Sequence, residues 1–463
     1  MKEAHMAGSF GSEKAARSLS PRQSLMVGVT LFSMFFGAGN LILPPLLALQ
    51  AGTASVPAMV GFLVTAIGLP VMGIVAVALV GTARTLAGRV HARFAGIFVA
   101  AVYLAIGPCL AIPRTSSTAF EMLAPLLPTG VPVDIVRLVF SIVFFAVAYY
   151  LALHPNALTK LLGRITGPAL ILLIVAVVGS ALLAPAGVPQ SPQEPYDANA
   201  AVQGFLTGYQ TMDLLASLTF GLVIAENIRS LGVTDAAGLT REVSKAGFVA
   251  GILMGLIYCG LAFVGAGFGT VMPGATNGAA ILTASATLHF GVAGTVVVAA
   301  IFLLACLNVC IGLISCCGTY FAENYGAASP DPAAHKLGRV PYAAWAAAFA
   351  VFSCFVSNFG LDAILTFSVP LLNALYPVSI VLVLMGMAHR ACDALPQTWP
   401  WIAGVTAVES VIVAVRDAFA PALALPLDAL PLADIGLGWV IPAVCAAIIG
   451  CIHALIAKNR VGH

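Results

Sequence analysis

Long apolar runs recur along the whole chain, separated by short charged or Pro/Gly-rich breaks. They fall at about 24–49, 55–82, 94–122, 133–153, 165–186, 203–229, 244–270, 290–323, 341–358, 361–388, 398–420 and 435–457. A bilayer crossing needs roughly 20 consecutive apolar residues. The pattern therefore predicts an all-α integral membrane protein with about twelve transmembrane helices. The runs at 94–122 and 290–323 are longer than a crossing requires, which predicts tilt or a short interfacial helix. Between the fifth and sixth runs lies one long polar loop, 187–200, and a weaker break falls at 325–340.

Composition narrows the class further. The chain has 463 residues, 60% of them hydrophobic and only 8% charged. Soluble domains carry about 25% charged residues, so a soluble fold is excluded. A net charge of +2 says little about partners, and no basic patch points to nucleic acid. The distribution of charge is more informative. With twelve spans, 17 of the 20 Lys and Arg residues share one side, leaving Arg114, Arg137 and Arg416 on the other. Basic residues gather on the cytoplasmic side, which predicts cytoplasmic termini. Residues 1–23 carry charges without an apolar core, so helix 1 is expected to act as the insertion signal. The ten cysteines lie mostly in apolar spans without metal-binding spacing, as buried small hydrophobes do.

The first span is interrupted. FFGAGNLILPP, residues 35–45, sets Gly37, Gly39, Asn40, Pro44 and Pro45 inside an apolar run. Broken helix is tolerated at depth only where protein buries it or a cavity adjoins it. A kink whose glycines serve close packing is the plain alternative. The functional reading is that amides freed at Ala38, Gly39 and Asn40 bind an anionic group at a half-helix N-terminus. A matching break belongs in the sixth span, GYQTMDLLASLTFGLVIAEN, residues 208–227. There Asp213 lies near mid-depth, where an ionisable residue marks function unless it caps a helix break. Five spans separate the two stretches. An odd number per unit inverts orientation, so helices 1–5 (24–186) and 6–10 (203–388) form two inverted repeats. Helices 11–12 (398–457) follow, then a cytoplasmic C-terminus at 458–463.

Other polar residues are sparser. Asn308 and Ser315 share a face of the eighth span, and their oxygens suit a small cation or an interhelical hydrogen bond. Pro108 and Pro113 bend the third span, with Arg114 expected at its outer end near Glu121. Glu409 in the eleventh span has no evident role. The eight histidines are scattered, which argues against a membrane-embedded enzyme. No phosphate-binding loop of the GxxxxGK[ST] type occurs, so an ion gradient is the expected energy source. An anionic group would meet the half-helix amides, a cationic one carbonyls or Asp213, and an apolar one Ile106, Leu214 and Phe220.

Several motifs in order, FFGAGNLILPPLLALQAG, IGPCLAIPRTSSTAFE, GYQTMDLLASLTFG, SNFGLD and SVPLLNALYP, resemble the bacterial branched-chain amino acid:cation symporters. These are the "branched-chain amino acid transport system II carrier" proteins, and the likeness covers about residues 20–455. The resemblance implies import of leucine, isoleucine and valine with Na+, or H+ in some members, across the bacterial cytoplasmic membrane. It implies no cofactor and no obligate protein partner. It also implies the five-plus-five inverted-repeat fold of the amino acid–polyamine–organocation superfamily, with helices 1 and 6 broken. GAGN is similar to the glycine-rich break of the neurotransmitter-type sodium symporters. By that likeness, amides near Ala38 and Gly39 hold the substrate carboxylate, beside Asn40. Carbonyls of Ser33 and Phe36 face a sodium ion with Ser315, and Ser217 and Phe220 line the pocket. Asn308-Val309 stands where the branched-chain carriers often have a Thr-Thr pair, which removes a hydroxyl from a helix facing the ion.

Overall fold

The computed structural model describes residues 18–128, 130–154, 166–325 and 341–461. The tail at 1–17, the basic residues Lys160, Arg164, Lys336 and Arg339, most of the break at 325–340, and residues 462–463 lie outside the described residues. Among the described residues, every regular element is helical.

Helix α1 (Pro21–Phe35) opens with a capping box, in which Ser20 and Gln23 bond reciprocally and Pro21 occupies the first turn. It stops at Phe36, whose backbone is extended (φ −76°, ψ 92°), and Gly37 is extended too (φ −122°, ψ −161°). Helix α2 (Ala38–Ala51) then starts afresh. It runs through Pro44 and Pro45 instead of closing there. The two rings leave the Asn40 and Leu41 carbonyls without helical donors. At Gly52 (φ 51°) the chain leaves α2 for α3 (Ser55–Leu63), which a π-turn at Val64–Gly68 joins to α4 (Leu69–Val80).

Two further breaks and one added helix complete the middle of the chain. After the short α5 (Ala83–Gly88), helix α6 (Ala92–Leu104) passes into a π-turn, Ala105–Cys109, where Gly107 leaves helical geometry, before α7 (Ala111–Leu123) resumes. Helices α8 (Val133–Ala152) and α9 (Gly167–Leu183) follow. Helix α10 (Tyr196–Thr207) begins inside the polar loop expected from the sequence. A 3-10 turn at Gly208–Thr211 and left-handed Met212 (φ 65°) separate it from α11 (Asp213–Ser230), and the pair is bent by 47°. The added helix is absent from the sequence reading. Between α12 (Ala236–Gly267) and α14 (Val292–Tyr325) lies α13 (Gly278–Phe290), 13 residues long. At 1.5 Å per residue it is about 20 Å long, too short for a core of about 30 Å.

The remaining helices are α15 (Tyr342–Ser357), α16 (Leu361–Met387), α17 (His389–Asp393), α18 (Thr398–Phe419) and α19 (Val440–Val461). All twelve apolar runs thus carry helix. Seven helical stretches among the described residues are long and apolar enough to cross a bilayer, and α10 with α11 adds an eighth as a bent pair.

Packing follows an exchange pattern. Helix α12 packs along α1 and α2, while α3 and α4 pack along α10 and α11. Helices α7 and α14 pack together, and α8 lies on α14 as α15 lies on α7. Small residues allow the closest approaches. A Cβ on Gly204 would lie 1.8 Å from the Ala58 carbonyl, and one on Gly61 would lie 1.8 Å from that of Ala201. Helices α8 and α19 turn Ile135, Ile142, Ile448 and Leu455 outward. Apolar surface on that scale suits lipid better than water.

Candidate functional site

Breaking α1 from α2 changes where hydrogen bonds go. The Gly37 N–H, which an unbroken helix would give to the Ser33 carbonyl, instead donates to Asn40 Oδ1 at 3.1 Å. Asn40 is the third residue of α2, so its side chain reaches back over the helix start. Its amide nitrogen then donates to Asp213 Oδ2 at 2.7 Å and also meets the Tyr258 hydroxyl. The Tyr258 hydroxyl lies 3.5 Å from the same carboxylate oxygen. Asp213 is the first residue of α11, where the helix dipole favours a negative charge. Its own N–H donates to Thr211 Oγ1 at 3.3 Å. Two half-helix starts therefore meet through one amide and one carboxylate.

Beside this junction is a small cavity of about 30 Å³. Asn40, Thr115, Thr211, Asp213 and Arg114 supply its polar wall, with Met34, Phe35, Ala38, Ile106, Phe220, Val309 and Leu313 among the rest of the lining. Phe35 and Phe220 pack with ring centroids 5.4 Å apart. A wider space of about 360 Å³ is edged by Gln50, Tyr196, Gln203 and Asn373. Gln210 and Tyr209, which stacks on Tyr376 with centroids 4.3 Å apart, also edge it.

Arg114 corrects the sequence reading. The break at Gly107 brings the start of α7 to the cavity, and Ala111, Arg114 and Thr115 share the face that lines it. Arg114 is only 4% exposed, and its Nη1 donates to the Gln210 carbonyl at 2.7 Å. Its Nη2 lies 2.7 Å from where a Gly39 Cβ would stand. Glu121, the expected neighbour, instead accepts from Asn277 at 2.9 Å. Arg114 and Asp213 both line the cavity, and among the described residues no ion pair within 4 Å joins them.

Of the expected substrate residues, the cavity gathers Ala38, Asn40, Ile106, Asp213 and Phe220, while Gly39 sits behind the Arg114 guanidinium. Leu214 and Ser217 point elsewhere. Because α11 begins at Asp213, residues 213, 216 and 220 face the cavity, and 214 and 217 lie one step round against Gly73 of α4. Among the expected ion ligands, Ser33 enters through its carbonyl, which loses its helical donor because the Gly37 N–H goes to Asn40 Oδ1; its Oγ bonds the Val29 carbonyl, 3.0 Å away. The Phe36 ring stacks between Phe32 and Tyr258. On α14 the cavity face is Val309 and Leu313. Asn308 is buried with its amide nitrogen unbonded, and Ser315 lies beside Tyr342 of α15. Arg114, Thr211 and Tyr258 were missed. Thr211 adjoins the Asp213 break, whereas nothing around Tyr258 in the sequence sets it apart.

Comparison with known proteins follows this geometry. Residues 20–457 match the family described as "Branched-chain amino acid transport protein". The chain is 37% identical to the branched-chain amino acid permease BraB of Bacillus subtilis (strain 168) over 95% of its own length and 97% of the relative's. It is 36% identical to the branched-chain amino acid transport system 2 carrier protein of Pseudomonas aeruginosa, covering 94% and 97% of the two chains. The permease BrnQ of Escherichia coli (strain K12) is 34% identical, with 96% and 98% covered. Among solved structures, Mhp1, a nucleobase-cation-symport-1 family transporter in a closed conformation, matches with TM-score 0.60 at 14% identity, covering 95% of this chain and 93% of that one. A manganese transporter from Eremococcus coleocola matches with TM-score 0.53 at 15% identity, covering 98% and 99%. At such identities the likeness concerns the fold, a membrane transporter fold.

Proposed function

Because this chain belongs to the branched-chain amino acid transport protein family, we propose that it is a secondary active symporter importing leucine, isoleucine and valine with Na+. The relatives' printed names supply the cargo class. The observation that carries the mechanism is the junction of two half-helix starts beside a small cavity. In this reading the bilayer holds twelve helices, with both termini cytoplasmic in a bacterial inner membrane. The first repeat spans 24–186 and the second 203–388. The exchanged packing of α12 on α1–α2 and of α3–α4 on α10–α11 supports that division. With Arg114 inside the molecule, Arg137 and Arg416 are the outer basic residues, which strengthens the charge asymmetry.

The site suits an aliphatic zwitterion for separable reasons. The α2 start carries the positive end of a helix dipole, and Ala38 is at the wall for a carboxylate. Asp213 supplies the charge that an ammonium group requires in a dry site. Met34, Ile106, Phe220 and Leu313 need only match an alkyl side chain in shape. One methylene in an apolar pocket is worth about 1–3 kcal/mol, so discrimination among the three branched side chains is modest. Inward movement proceeds by alternating access around the broken helices. The cargo leaves chemically unchanged, which makes the protein a carrier and not an enzyme.

Sodium would be held by carbonyls that the α1 break frees near Ser33 and Phe36, with oxygens from Asn308 and Ser315 of α14. A second reading, H+ coupling, is favoured by one observation, the buried carboxyl of Asp213 at the cavity wall. Uptake of labelled leucine into proteoliposomes separates the two. Sodium coupling predicts uptake that collapses when choline replaces Na+ and survives removal of a pH gradient. Proton coupling predicts the reverse. Leucine uptake indifferent to both gradients would exclude symport.

A further inference from the structure

We propose that Arg114 is the residue that recognises the carboxylate of the transported amino acid, and that in doing so it exchanges the Gln210 carbonyl for the ligand. This rests on the amino acid transport reading above and extends it to a residue outside the broken helices.

The argument starts from burial. A guanidinium stays protonated in proteins, and an intramembrane charge is costly unless it serves a partner or a pathway. Arg114 is 4% exposed, yet its described hydrogen bond goes to a neutral acceptor, the Gln210 carbonyl at 2.7 Å. Asp213, the acidic residue on the same cavity wall, makes no ion pair with it within 4 Å. A guanidinium and a carboxyl group are therefore held apart across a single cavity. A zwitterion carries an ammonium and a carboxylate in complementary order. The Asp213 carboxyl offers a carboxylate no counter-charge in either protonation state, so only the Arg114 end supplies one. A guanidinium can bind a carboxylate through two parallel N–H donors, and Arg114 has donors beyond the one used at Gln210.

The surroundings make the exchange mechanically sensible. Gln210 belongs to the 3-10 turn that breaks α10 from α11, and it also edges the wider space. Arg114 Nη2 presses against Gly39 in the first turn of α2. The same guanidinium therefore touches both broken helices. A carboxylate drawing it from Gln210 frees the α10 side of the junction, while Ala38 and the α2 start remain beside the ligand.

The test compares leucine with leucinol, which keeps the ammonium and the alkyl chain but lacks the carboxylate. Titration calorimetry on the purified full chain measures both affinities in wild type, Arg114→Gln and Arg114→Lys. Removing a charge-assisted hydrogen bond weakens binding by about tenfold to a hundredfold. Arg114→Gln is expected to lose that factor for leucine, with leucinol changing by less than about threefold on the same scale. Arg114→Lys recovers part of the preference. Equal weakening of the two ligands, or no change in either, overturns the proposal. If Arg114→Gln does not remain monodisperse, the leucine-to-leucinol preference in Arg114→Lys decides, and an unchanged preference overturns it. Wild type binding none of leucine, isoleucine and valine would overturn the transport reading at a separate step, and this inference with it.

Discussion

Asn40 Nδ2 and Asp213 Oδ2 lie 2.7 Å apart, so the start of α2 and the start of α11 are joined directly across 173 residues of sequence. The same Asn40 side chain accepts the Gly37 N–H and meets Tyr258, so one amide holds a helix break, a carboxylate and a third helix together. Both partners are buried, Asn40 at 2% exposure and Asp213 at 3%. Leaving one without the other would strand a polar group away from water, at about 1–3 kcal/mol.

Substitution at Asn40 follows from that. Asn40→Ala is expected to lower the thermal midpoint in detergent and to reduce leucine uptake about tenfold or more, given the loss of bonds to a charged partner. Asn40→Asp adds a second carboxyl against Asp213 and is expected to be worse. Fluorescence thermal shift and initial uptake rates check both, and an unaltered Asn40→Ala would remove the junction from the mechanism.

Gly39 is expected to act through its neighbour. A methyl at this position stands 2.7 Å from Arg114 Nη2 and 3.4 Å from the Gln210 carbonyl. The guanidinium is the end of a flexible side chain and yields more cheaply than backbone. Gly39→Ala should therefore misplace Arg114 with little loss of folded protein, costing about tenfold to a hundredfold in kcat/KM. Uptake kinetics beside size-exclusion profiles test this, and normal kinetics would clear Gly39 of any role.

Asp213→Asn keeps the shape and a hydrogen-bonding oxygen but removes the charge that an ammonium group would meet. Leucine affinity should fall about tenfold to a hundredfold. The matched probe is 4-methylpentanoate, which lacks the ammonium, and its affinity should be nearly unchanged. Parallel losses for both ligands would instead mark Asp213 as a helix-capping group.

A pH-dependent effect is expected away from the cavity. Arg89 Nε lies 2.9 Å from Asp393 Oδ1, and its hydrogen bond holds the Asp393 carboxyl below the usual range. A depressed carboxyl stabilises the fold above its unfolded pKa, about 3.9. That contribution fades as pH falls through the lowered folded value. Arg89→Ala should therefore lower the thermal midpoint at neutral pH, with the gap narrowing below about pH 4. The pair is partly exposed, so its share is at most about 1 kcal/mol. Arg89 also lies over the Trp399 ring, 5.4 Å from its centroid, and that contact leaves a residual gap at every pH.

The helices and the first break were legible because lipid enforces long apolar runs, and glycines within one signal interruption. Span 6 was legible only in outline. The break lies at Gly208–Met212, ahead of Ser217 and Gly221, and without the start of α11 the helix phase could not be known. That is why Leu214 and Ser217 were expected at the cavity and Ala216 was not. Arg114 was misplaced for a related reason, since the two prolines signal a bend but not the departure at Gly107 that turns the start of α7 to the cavity. Tyr258 comes to Asp213 through the packing of α12 on α1 and α2, which no local pattern encodes.

An ionised Asp213 would cancel the charge of Arg114 within one cavity, and a zwitterionic amino acid adds no net charge. The membrane voltage then has only the coupling ion to act on. Under the sodium reading proposed above, each Na+ that enters carries one positive charge, worth about 2.3 kcal/mol for every 100 mV. Neutralising either residue alone would leave the other's charge uncancelled, so the ratio of current to flux becomes a reporter of the cavity's own balance.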